Sequence, residues 1–254
     1  MSRAGGIRAV VVADGAAPRR ADLDAAWPGW MNGVSLVIAA DGGWDKAVSI
    51  GLRPDLLVGD GDSLPEARFA ELAAAGVPIE RAATDKDESD AELALLAALR
   101  RGASHVTVLG ALGGQRLDHA LANVGLLALP DAAAAEVYLL DATTRVRLMR
   151  ADAAGEAGAA DAAGEAGAKG AEPTTCPLPG AVGDLVSLLP LGAAAVGVTT
   201  RGLKYPLNDE TLPPGPARGL SNVRITAEAG VTLRRGSLLI IETRTGLSNS
   251  EEPS

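Results

Sequence analysis

Short apolar runs alternate with helical patterns over the first 140 residues of the chain. Runs rich in β-branched residues predict strands at residues 7–12, 35–39, 55–58, 77–80, 105–109 and 136–140. Stretches rich in Ala and Leu lie between several of these runs, and the clearest predict helices at 90–101 and 117–129. Short apolar strands that alternate with helices are typical of a parallel sheet covered on both faces. Residues 1–140 therefore predict a doubly wound, mostly parallel, Rossmann-like α/β domain.

The helix predicted at 90–101 has a clear start signal. Ser89 and Glu92 have the spacing of a capping box, in which the serine hydroxyl and the glutamate carboxylate satisfy backbone N–H groups at the helix start. Leu93, Leu96 and Leu99 follow at helical spacing, and the pattern predicts that they form the buried face.

From residue 145 the pattern changes to strand-like runs separated by Gly and Pro, with no convincing helix. The runs are "RVRLMR", "GDLVSLLPL", "AVGVTT", "NVRI" and "SLLIIETR". They predict a second, small domain over residues 141–245, an antiparallel β-sandwich or barrel.

A low-complexity segment interrupts this second domain. The stretch "DAAGEAGA" starts at residue 152 and again at residue 161, and its Ala, Gly, Glu and Asp residues offer little to bury. We expect a disordered insertion at 151–177 and a disordered tail at 246–254.

Composition narrows the functional classes. The formal net charge of −9 over 254 residues argues against a protein that binds the phosphate backbone of nucleic acid. A single cysteine, Cys176, excludes an internal disulfide framework and fits a reducing compartment. The sequence shows no signal peptide, and no apolar run approaches the roughly 18 residues of a membrane-spanning helix. We expect a soluble, cytoplasmic protein with no nucleic-acid or membrane partner.

Four loops that follow predicted strands carry acidic residues and glycines. They read "ADGGWDK" from residue 40, "GDGDS" from residue 59, "TDKDESD" from residue 84 and "GALGGQRLDH" from residue 110. In a parallel sheet, loops that follow strands emerge at the same edge, where α/β proteins bind their ligands. The sequence therefore predicts one acidic, glycine-lined crevice built from all four loops.

Phosphoryl transfer is the chemistry that such a crevice suits. Grouped aspartates repel unless a divalent ion neutralises them, and Mg²⁺ takes oxygen ligands and substrate phosphates. Lys86 and Arg116 can neutralise phosphate oxygens, while glycine pairs let backbone N–H groups approach phosphate closely. The sequence contains neither the G-x-x-x-x-G-K-[ST] phosphate loop nor the G-x-G-x-x-G fingerprint.

Each loop taken alone also has a simpler interpretation. Asp90 in a first helical turn stabilises the helix dipole without any metal. Residues 41–43 alone would be an ordinary turn. Arg116 and Asp118 could be a surface residue and a helix cap, so the hypothesis depends on the coincidence of the four loops.

The ordered motifs of the chain resemble the thiamin pyrophosphokinase family. That family's pattern has "ADGG", "GDxDS", "KDxTD", "GGRxDH" and a C-terminal "GLKYPL" followed by "G.SN". The chain reads "ADGG" at 40–43, "GDGDS" at 59–63, "KDESD" at 86–90, "GGQRLDH" at 113–119, "GLKYPL" at 202–207 and "GLSN" at 219–222. Six motifs in order across about residues 36–242 make this resemblance specific.

The resemblance implies an activity and a set of site residues. Members transfer the pyrophosphoryl group of ATP to the hydroxyethyl oxygen of thiamin in a Mg²⁺-dependent reaction that releases AMP. By resemblance, the metal is expected at Asp60, Asp62 and Asp90, with Asp41 completing the catalytic set. The expected nucleotide-binding residues are Gly42, Gly43, Lys86, Asp87, Gly113, Gly114, Arg116, Asp118 and His119.

The resemblance also implies a homodimer whose active site lies at the subunit interface. The expected thiamin contacts are Lys204, Tyr205, Ser221 and Asn222. Tyr205 is the one aromatic residue after position 140, and an aromatic face suits both the flat pyrimidine and the thiazolium charge of thiamin.

The chain departs from the family pattern at three positions. Gly61 lies between the paired aspartates where a bulky residue is usual, which predicts a less tightly packed loop. Ser89 replaces the commoner threonine and keeps the capping hydroxyl, and Gln115 adds a residue before Arg116, which alters the reach of that arginine.

Two other functions fit part of the pattern. A Mg²⁺-dependent phosphohydrolase would use Asp60 and Asp62 as nucleophile and acid, and it predicts release of inorganic phosphate, but it leaves the later loops without a role. A non-catalytic module that senses thiamin or nucleotide would bind its ligand without forming product.

Overall fold

A computed structural model of the chain describes residues 6–61, 64–82, 87–114, 116–151 and 172–246. The chain divides into two compact units, Met1–Arg147 and Leu148–Ser254. None of the helices in these described stretches combines the length and the hydrophobicity that crossing a membrane requires.

The first unit is an α/β structure with a mostly parallel sheet. Its strands are β1 (Ile7–Val12), β2 (Val34–Ala40), β3 (Leu56–Gly59), β4 (Ile79–Arg81), β5 (Ala103–Leu109), β6 (Glu136–Leu140) and β7 (Thr144–Ala151), which continues across the boundary into the second unit. They lie in the order β7-β6-β5-β1-β2-β3-β4, and among these described strands only β7 is antiparallel to its neighbour β6. The six strands predicted over the first 140 residues are confirmed.

In the described part of this unit, five α-helices and a short 3₁₀ helix connect these strands. They are α1 (Arg20–Ala26), α2 (Gly43–Ser49), α3 (Glu66–Ala74), α4 (Asp90–Arg100), α5 (Leu117–Leu126) and the 3₁₀ helix Pro130–Ala134. The predicted helices at 90–101 and 117–129 are α4 and α5. Val10, Val11 and Val12 of β1 are fully buried one after another, as expected for a strand with both faces covered.

Helix α4 begins as predicted and buries a different face. Ser89 Oγ accepts a hydrogen bond from the Glu92 N–H at 3.2 Å, which is half of the predicted capping box. The prediction that Leu93, Leu96 and Leu99 form the buried face is wrong, because these side chains are only half-buried. The buried residues of α4 are Ala91, Ala94, Leu95, Ala97 and Ala98. Small alanine side chains allow the helix to lie close to the sheet, and the larger leucines flank that contact.

The second unit contains two antiparallel strand groups. Its further strands are β8 (Thr174–Pro177), β9 (Leu185–Pro190), β10 (Ala195–Arg201), β11 (Glu210–Leu212), β12 (Asn222–Val223), β13 (Gly230–Leu233) and β14 (Gly236–Thr243). One group has the order β12-β9-β14 and the other β11-β10-β13-β8. Buried residues from both groups share one core that includes Leu188, Val198, Leu233 and Ile240, so the unit is a β-sandwich, as predicted.

The insertion predicted at 151–177 overlaps a strand at each end, so its predicted bounds are wrong. Ala151 ends β7, and Thr174–Pro177 form β8, which pairs with β13. A polar TTCP sequence gave no apolar alternation, and its pairing partner lies more than fifty residues away in the chain. The repeat itself, at 152–171, and the tail from 247 onward lie outside the described residues.

A buried ion pair holds the end of the second unit's last strand. Asp184 is 5% exposed, and its carboxylate accepts hydrogen bonds from Arg244 at 2.6 Å, from the Ala181 N–H at 2.8 Å and from the Thr245 N–H at 3.2 Å. Burial acts to raise the pKa of Asp184, but these hydrogen bonds outweigh it, so the pKa lies below the ordinary value.

This pKa shift predicts a pH-dependent contribution to stability. Because the folded-state pKa is below the unfolded value of about 3.9, the contribution is complete above that value and is lost as the pH falls through the lower, folded-state pKa. Asp184→Asn should lower the free energy of unfolding by about 2 kcal/mol at neutral pH. Denaturant unfolding should show that the difference from wild type shrinks steadily in strong acid.

Asp209→Asn is the matched control for this prediction. Asp209 pairs with Arg234 in the same unit, but its side chain is 59% exposed, so removal of its charge should have little effect at any pH. Equal losses for the two variants, or a loss at Asp184 that does not depend on pH, would contradict the assignment.

Candidate active site

Three carboxylates, two from loops and one from a helix start, meet at the carboxyl edge of the parallel sheet. Asp41 follows β2, Asp60 follows β3 and Asp90 begins α4. One carboxylate oxygen from each residue lies within 4.8 Å of the corresponding oxygens of the other two. The prediction that these acidic loops converge is confirmed for these three side chains.

Asp41 is held in an uncommon backbone conformation. Its φ is +43°, in the left-handed region that aspartate tolerates better than most residues, and its side chain is buried. The Asp41 N–H donates to the Val58 carbonyl at 2.9 Å, and its carbonyl accepts from the Trp44 N–H at 3.0 Å. The backbone of Asp41 is therefore held by the end of β3 and the start of α2.

The glycines after Asp41 are required by close packing. A Cβ atom at Gly43 would lie 2.0 Å from the carbonyl oxygen of Val12, and one at Gly42 would lie 2.4 Å from Oδ1 of Asp14. These glycines let the start of α2 approach the end of β1. That explains the sequence "ADGG" through packing alone, whether or not a phosphate binds there.

Gly59 brings the second carboxylate to the first. Its φ is +156°, and a Cβ atom there would lie 3.0 Å from Cβ of Asp41. The Gly59 carbonyl accepts a hydrogen bond from the Ala82 N–H at 2.9 Å, which ties this strand end to the chain after β4. The next residue is Asp60, so its position depends directly on this close contact.

Asp90 supplies the third carboxylate from the first turn of α4. Its position after the Ser89 cap is one where a negative charge stabilises the helix dipole. The dipole alone would not require two other carboxylates nearby. Proximity to Asp41 and Asp60 therefore makes Asp90 a candidate metal ligand as well.

A cavity of about 460 Å³ lies beside this cluster. It is lined by the loops after β1 and β5, by Ala40 at the end of β2, and by residues at and near the starts of α4 and α5. Among the residues predicted from sequence, the lining contains Asp90, Gly113, Gly114, Arg116 and His119. It also contains Glu88 and Ser89, which follow Asp87, itself exposed in the loop before α4.

The loop after β1 also lines the cavity, and the sequence interpretation missed it. A Cβ atom at Gly15 would lie 2.0 Å from the Gly110 carbonyl oxygen, so the loops after β1 and β5 are in backbone contact. Asp14 lines the cavity, and its Oδ1 lies 2.6 Å from the ammonium nitrogen of Lys46. The signal was available, because "VVVADG" repeats the arrangement of an apolar strand followed by an acidic residue and glycine.

Arg116 and Asp118 form an ion pair at the start of α5. The Arg116 guanidinium and the Asp118 carboxylate are 2.5 Å apart, and both side chains are about two-thirds exposed. The hydrogen bond from Arg116 lowers the pKa of Asp118, and the same contact raises the pKa of Arg116. Because both groups are charged at neutral pH, Asp118 orients a cation that lines the cavity.

Asp62 and Lys86 lie outside the described residues, as does Gln115. Gly61 is described, and its surroundings differ from the expected loose packing. Its φ is +87°, and a Cβ atom there would lie 3.2 Å from a ring carbon of Phe69, the one phenylalanine of the chain. An aromatic ring from α3 thus occupies the space beside this glycine.

The predicted thiamin-contacting residues form a second cluster, within the second unit. Asn222 is 5% exposed; its Oδ1 accepts from the Tyr205 N–H at 2.9 Å, and its Nδ2 donates to the Tyr205 carbonyl at 2.6 Å. The Tyr205 ring is half-exposed, and the Lys204 ammonium nitrogen lies 5.4 Å from its centroid. Ser221 has a φ of +52°, and its N–H donates to Ser187 Oγ at 3.0 Å.

These contacts separate two roles within the cluster. Asn222 uses both ends of its amide on the backbone of Tyr205, so it holds the loop in place. Lys204 and Tyr205 present the exposed surface. The family resemblance alone predicts all four residues as direct thiamin contacts and does not distinguish these two roles.

Comparison with known proteins places these two clusters in two recognised domains. Residues 28–139 match the family model described as thiamin pyrophosphokinase, catalytic domain. Residues 175–238 match the model described as thiamin pyrophosphokinase, vitamin B1 binding domain. The first match contains the three carboxylates, and the second contains the Tyr205 cluster.

Individual members of this family align with most of the chain in sequence and in structure. A thiamine pyrophosphokinase of Bacillus subtilis (strain 168) is 24% identical over 215 residues, which is 85% of this chain and 90% of that protein. A crystal structure of thiamine pyrophosphokinase from Bacillus subtilis has a TM-score of 0.73 at 24% identity and covers 94% of this chain and 100% of its own. The Geobacillus thermodenitrificans thiamin pyrophosphokinase structure has a TM-score of 0.72 at 24% identity and covers 94% of this chain and 99% of its own.

The solved structures establish the shared fold, and the two domain models occur in order and together match more than two-thirds of the chain. On these grounds, the chain belongs to the thiamin pyrophosphokinase family.

Proposed function

We propose that this protein transfers the pyrophosphoryl group of ATP to the hydroxyethyl oxygen of thiamin, which gives thiamin diphosphate and AMP. The observation that supports this most is the convergence of Asp41, Asp60 and Asp90 beside a glycine-lined cavity in the part of the chain that matches the family's catalytic domain.

The three carboxylates fit the donor preference of Mg²⁺. They offer hard, negatively charged oxygen atoms, and a divalent cation would relieve their mutual repulsion. We assign the metal to Asp60 and Asp90 together with Asp62, with Asp41 close by. Once bound, the ion supplies charge neutralisation and polarisation of phosphoryl oxygens.

The nucleotide is assigned to the cavity lined by the loop after β5. Backbone N–H groups of Gly113 and Gly114 and the start of α5 offer hydrogen-bond donors to phosphate oxygens. Arg116, already oriented by Asp118, adds a planar guanidinium that can bind two phosphate oxygens. Lys86 is assigned to the phosphates as well, and the remaining contacts of the nucleotide are assigned to Gly42, Gly43, Asp87 and His119.

The proposed reaction is an in-line displacement at the β-phosphorus of ATP. A bond forms between the thiamin hydroxyl oxygen and the β-phosphorus, and the bond from the β-phosphorus to the α,β-bridging oxygen breaks. AMP leaves with that oxygen and its bonding electron pair. The hydroxyl proton passes to a carboxylate, Asp41 or Asp62, although positioning and charge neutralisation should contribute more to the rate than proton removal.

Thiamin is assigned to the Tyr205 cluster. The half-exposed ring of Tyr205 offers a face for the pyrimidine or the thiazolium cation, and Asn222 fixes the backbone that carries this ring. Lys204 supplies a positive charge that suits the pyrophosphoryl group. Ser221, in the same cluster, completes the assigned contacts.

The family resemblance further supports a homodimer in which each active site takes its thiamin-binding residues from the partner copy. The protomer mass is 25.5 kDa, so light scattering should give about twice that value. A stable 25.5 kDa species that turns over thiamin would contradict this arrangement.

The reaction predicts a specific product pair. Incubation of the protein with ATP, Mg²⁺ and thiamin should yield AMP and thiamin diphosphate in equal amounts, resolved by chromatography. Asp90→Asn should lower the rate at least about 100-fold, because metal-assisted charge stabilisation contributes several kcal/mol and about 1.4 kcal/mol corresponds to a factor of ten.

Glu92→Gln is the matched control, because it removes a charge from the same first turn of α4 and weakens the dipole interaction similarly. It should retain most of the activity. Thiamin-dependent ADP would indicate a simple phosphate kinase, inorganic phosphate from phosphoesters would indicate a phosphohydrolase, and binding without product would indicate a sensing module; each result would overturn the proposal.

The Tyr205 assignment predicts a change confined to thiamin. Tyr205→Ala should raise the KM for thiamin about tenfold and leave the KM for ATP unchanged, since an aromatic face contributes about 1–2 kcal/mol to a cationic or flat ligand. Tyr205→Phe keeps the ring and should behave like wild type.

Ile225→Ala provides the comparison, because Ile225 and Tyr205 are both 52% exposed in the same unit. If Ile225→Ala and Tyr205→Ala shift the thiamin KM equally, or if the ATP KM changes instead, Tyr205 is not a thiamin contact.

A further inference from the structure

The segment that carries Asp60 consists of two glycines around one aspartate. Gly59 and Gly61 have φ values of +156° and +87°, so both are in conformations that other residues rarely adopt. Glycine offers no side chain to restrain its own backbone. Something outside the segment must therefore hold Asp60 in its place.

Phe69 of α3 contacts this segment from one side. A Cβ atom at Gly61 would lie 3.2 Å and 3.4 Å from two carbons of the Phe69 ring, which places the ring directly against the glycine backbone. At the other end of the segment, Gly59 contacts Asp41. The residues on either side of Asp60 thus contact Asp41 and the Phe69 ring, respectively.

The Phe69 ring is itself well supported. It packs against the buried cluster of Ala39, Trp44, Leu57, Leu64 and Leu72. The Arg81 guanidinium lies 4.6 Å from the ring centroid, and Arg81 directly precedes Ala82, whose N–H donates to the Gly59 carbonyl. The Phe69 ring, the Arg81 guanidinium and the hydrogen bond from Ala82 to Gly59 therefore support residues 59–61 together.

We propose that Phe69 is a positioning residue for the metal site, acting through the backbone at Gly61 to keep Asp60 beside Asp41 and Asp90. This inference rests on the proposed metal role of those carboxylates. Three carboxylates that lie close together repel when no cation is present. Without the ring, repulsion would move Asp60 and its flanking glycines away from Asp41 and Asp90. Metal binding would then include the free-energy cost of returning Asp60 to the cluster, so the affinity would fall.

The test measures binding of Mn²⁺ alone, with free Mn²⁺ followed by electron paramagnetic resonance, in variants of the full chain. Phe69→Ala should weaken Mn²⁺ binding about tenfold. Phe69→Tyr keeps the ring and should restore binding to near the wild-type value. Thermal unfolding of each variant, recorded in parallel, shows whether the variant is folded at the temperature of the titration.

Leu72→Ala is the matched control. Leu72 lies on the same helix and in the same buried cluster, so its truncation creates a comparable cavity. It should lower the melting temperature much as Phe69→Ala does and leave Mn²⁺ affinity unchanged. A merely structural role for Phe69 predicts the same Mn²⁺ affinity in both variants, and that result would overturn the inference.

Asp60→Asn separates this inference from the proposed function. If wild type binds Mn²⁺ no better than Asp60→Asn does, the proposed metal site fails, and the inference fails with it. If wild type binds Mn²⁺ better than Asp60→Asn, while Phe69→Ala and Leu72→Ala both match wild type, only the role of Phe69 is wrong.

Discussion

Mutual repulsion of three carboxylates is the constraint on which the site depends. Asp41 and Asp60 come from two loops and Asp90 from the start of α4, and one carboxylate oxygen from each lies within 4.8 Å of the other two. Like charges this close are stable only if the backbone is prevented from separating them or a cation neutralises them. Much of the local structure of the first unit meets the first requirement, and the proposed metal ion would meet the second.

The backbone meets that requirement through close contacts that exclude side chains. Gly43 and Gly59 are positions where a Cβ atom would collide with Val12 or crowd Asp41, so glycine lets neighbouring strand ends and helix starts touch. Asp41 in turn adopts a left-handed conformation that a bulkier residue would resist. Parallel strands bring the loops to a common edge, and these local features turn the shared edge into a defined cluster.

The sequence predicted this arrangement well where periodicity and loop order were enough. The strands of the first unit, the two predicted helices α4 and α5, and the meeting of Asp41, Asp60 and Asp90 follow from local patterns and from the rule that loops after parallel strands share an edge. Local sequence patterns do not predict contacts between residues that are far apart in the chain. Three such features were missed: the burial of alanines instead of leucines on α4, the ring of Phe69 beside Gly61, and the hydrogen bonds by which Asn222 holds Tyr205. Helix α2 was also missed, since a seven-residue helix that begins at Gly43 looks like a turn.

The position of the metal ion, determined by diffraction, is the most direct test of the proposed three-carboxylate site. Crystals grown with Mn²⁺ would give an anomalous signal at the ion, independent of any assumption about activity. We expect a peak within about 2.5 Å of carboxylate oxygens from Asp60 and Asp90, with Asp41 adjacent. A peak found only elsewhere, with these three carboxylates still together and no ion among them, would contradict the proposed metal site.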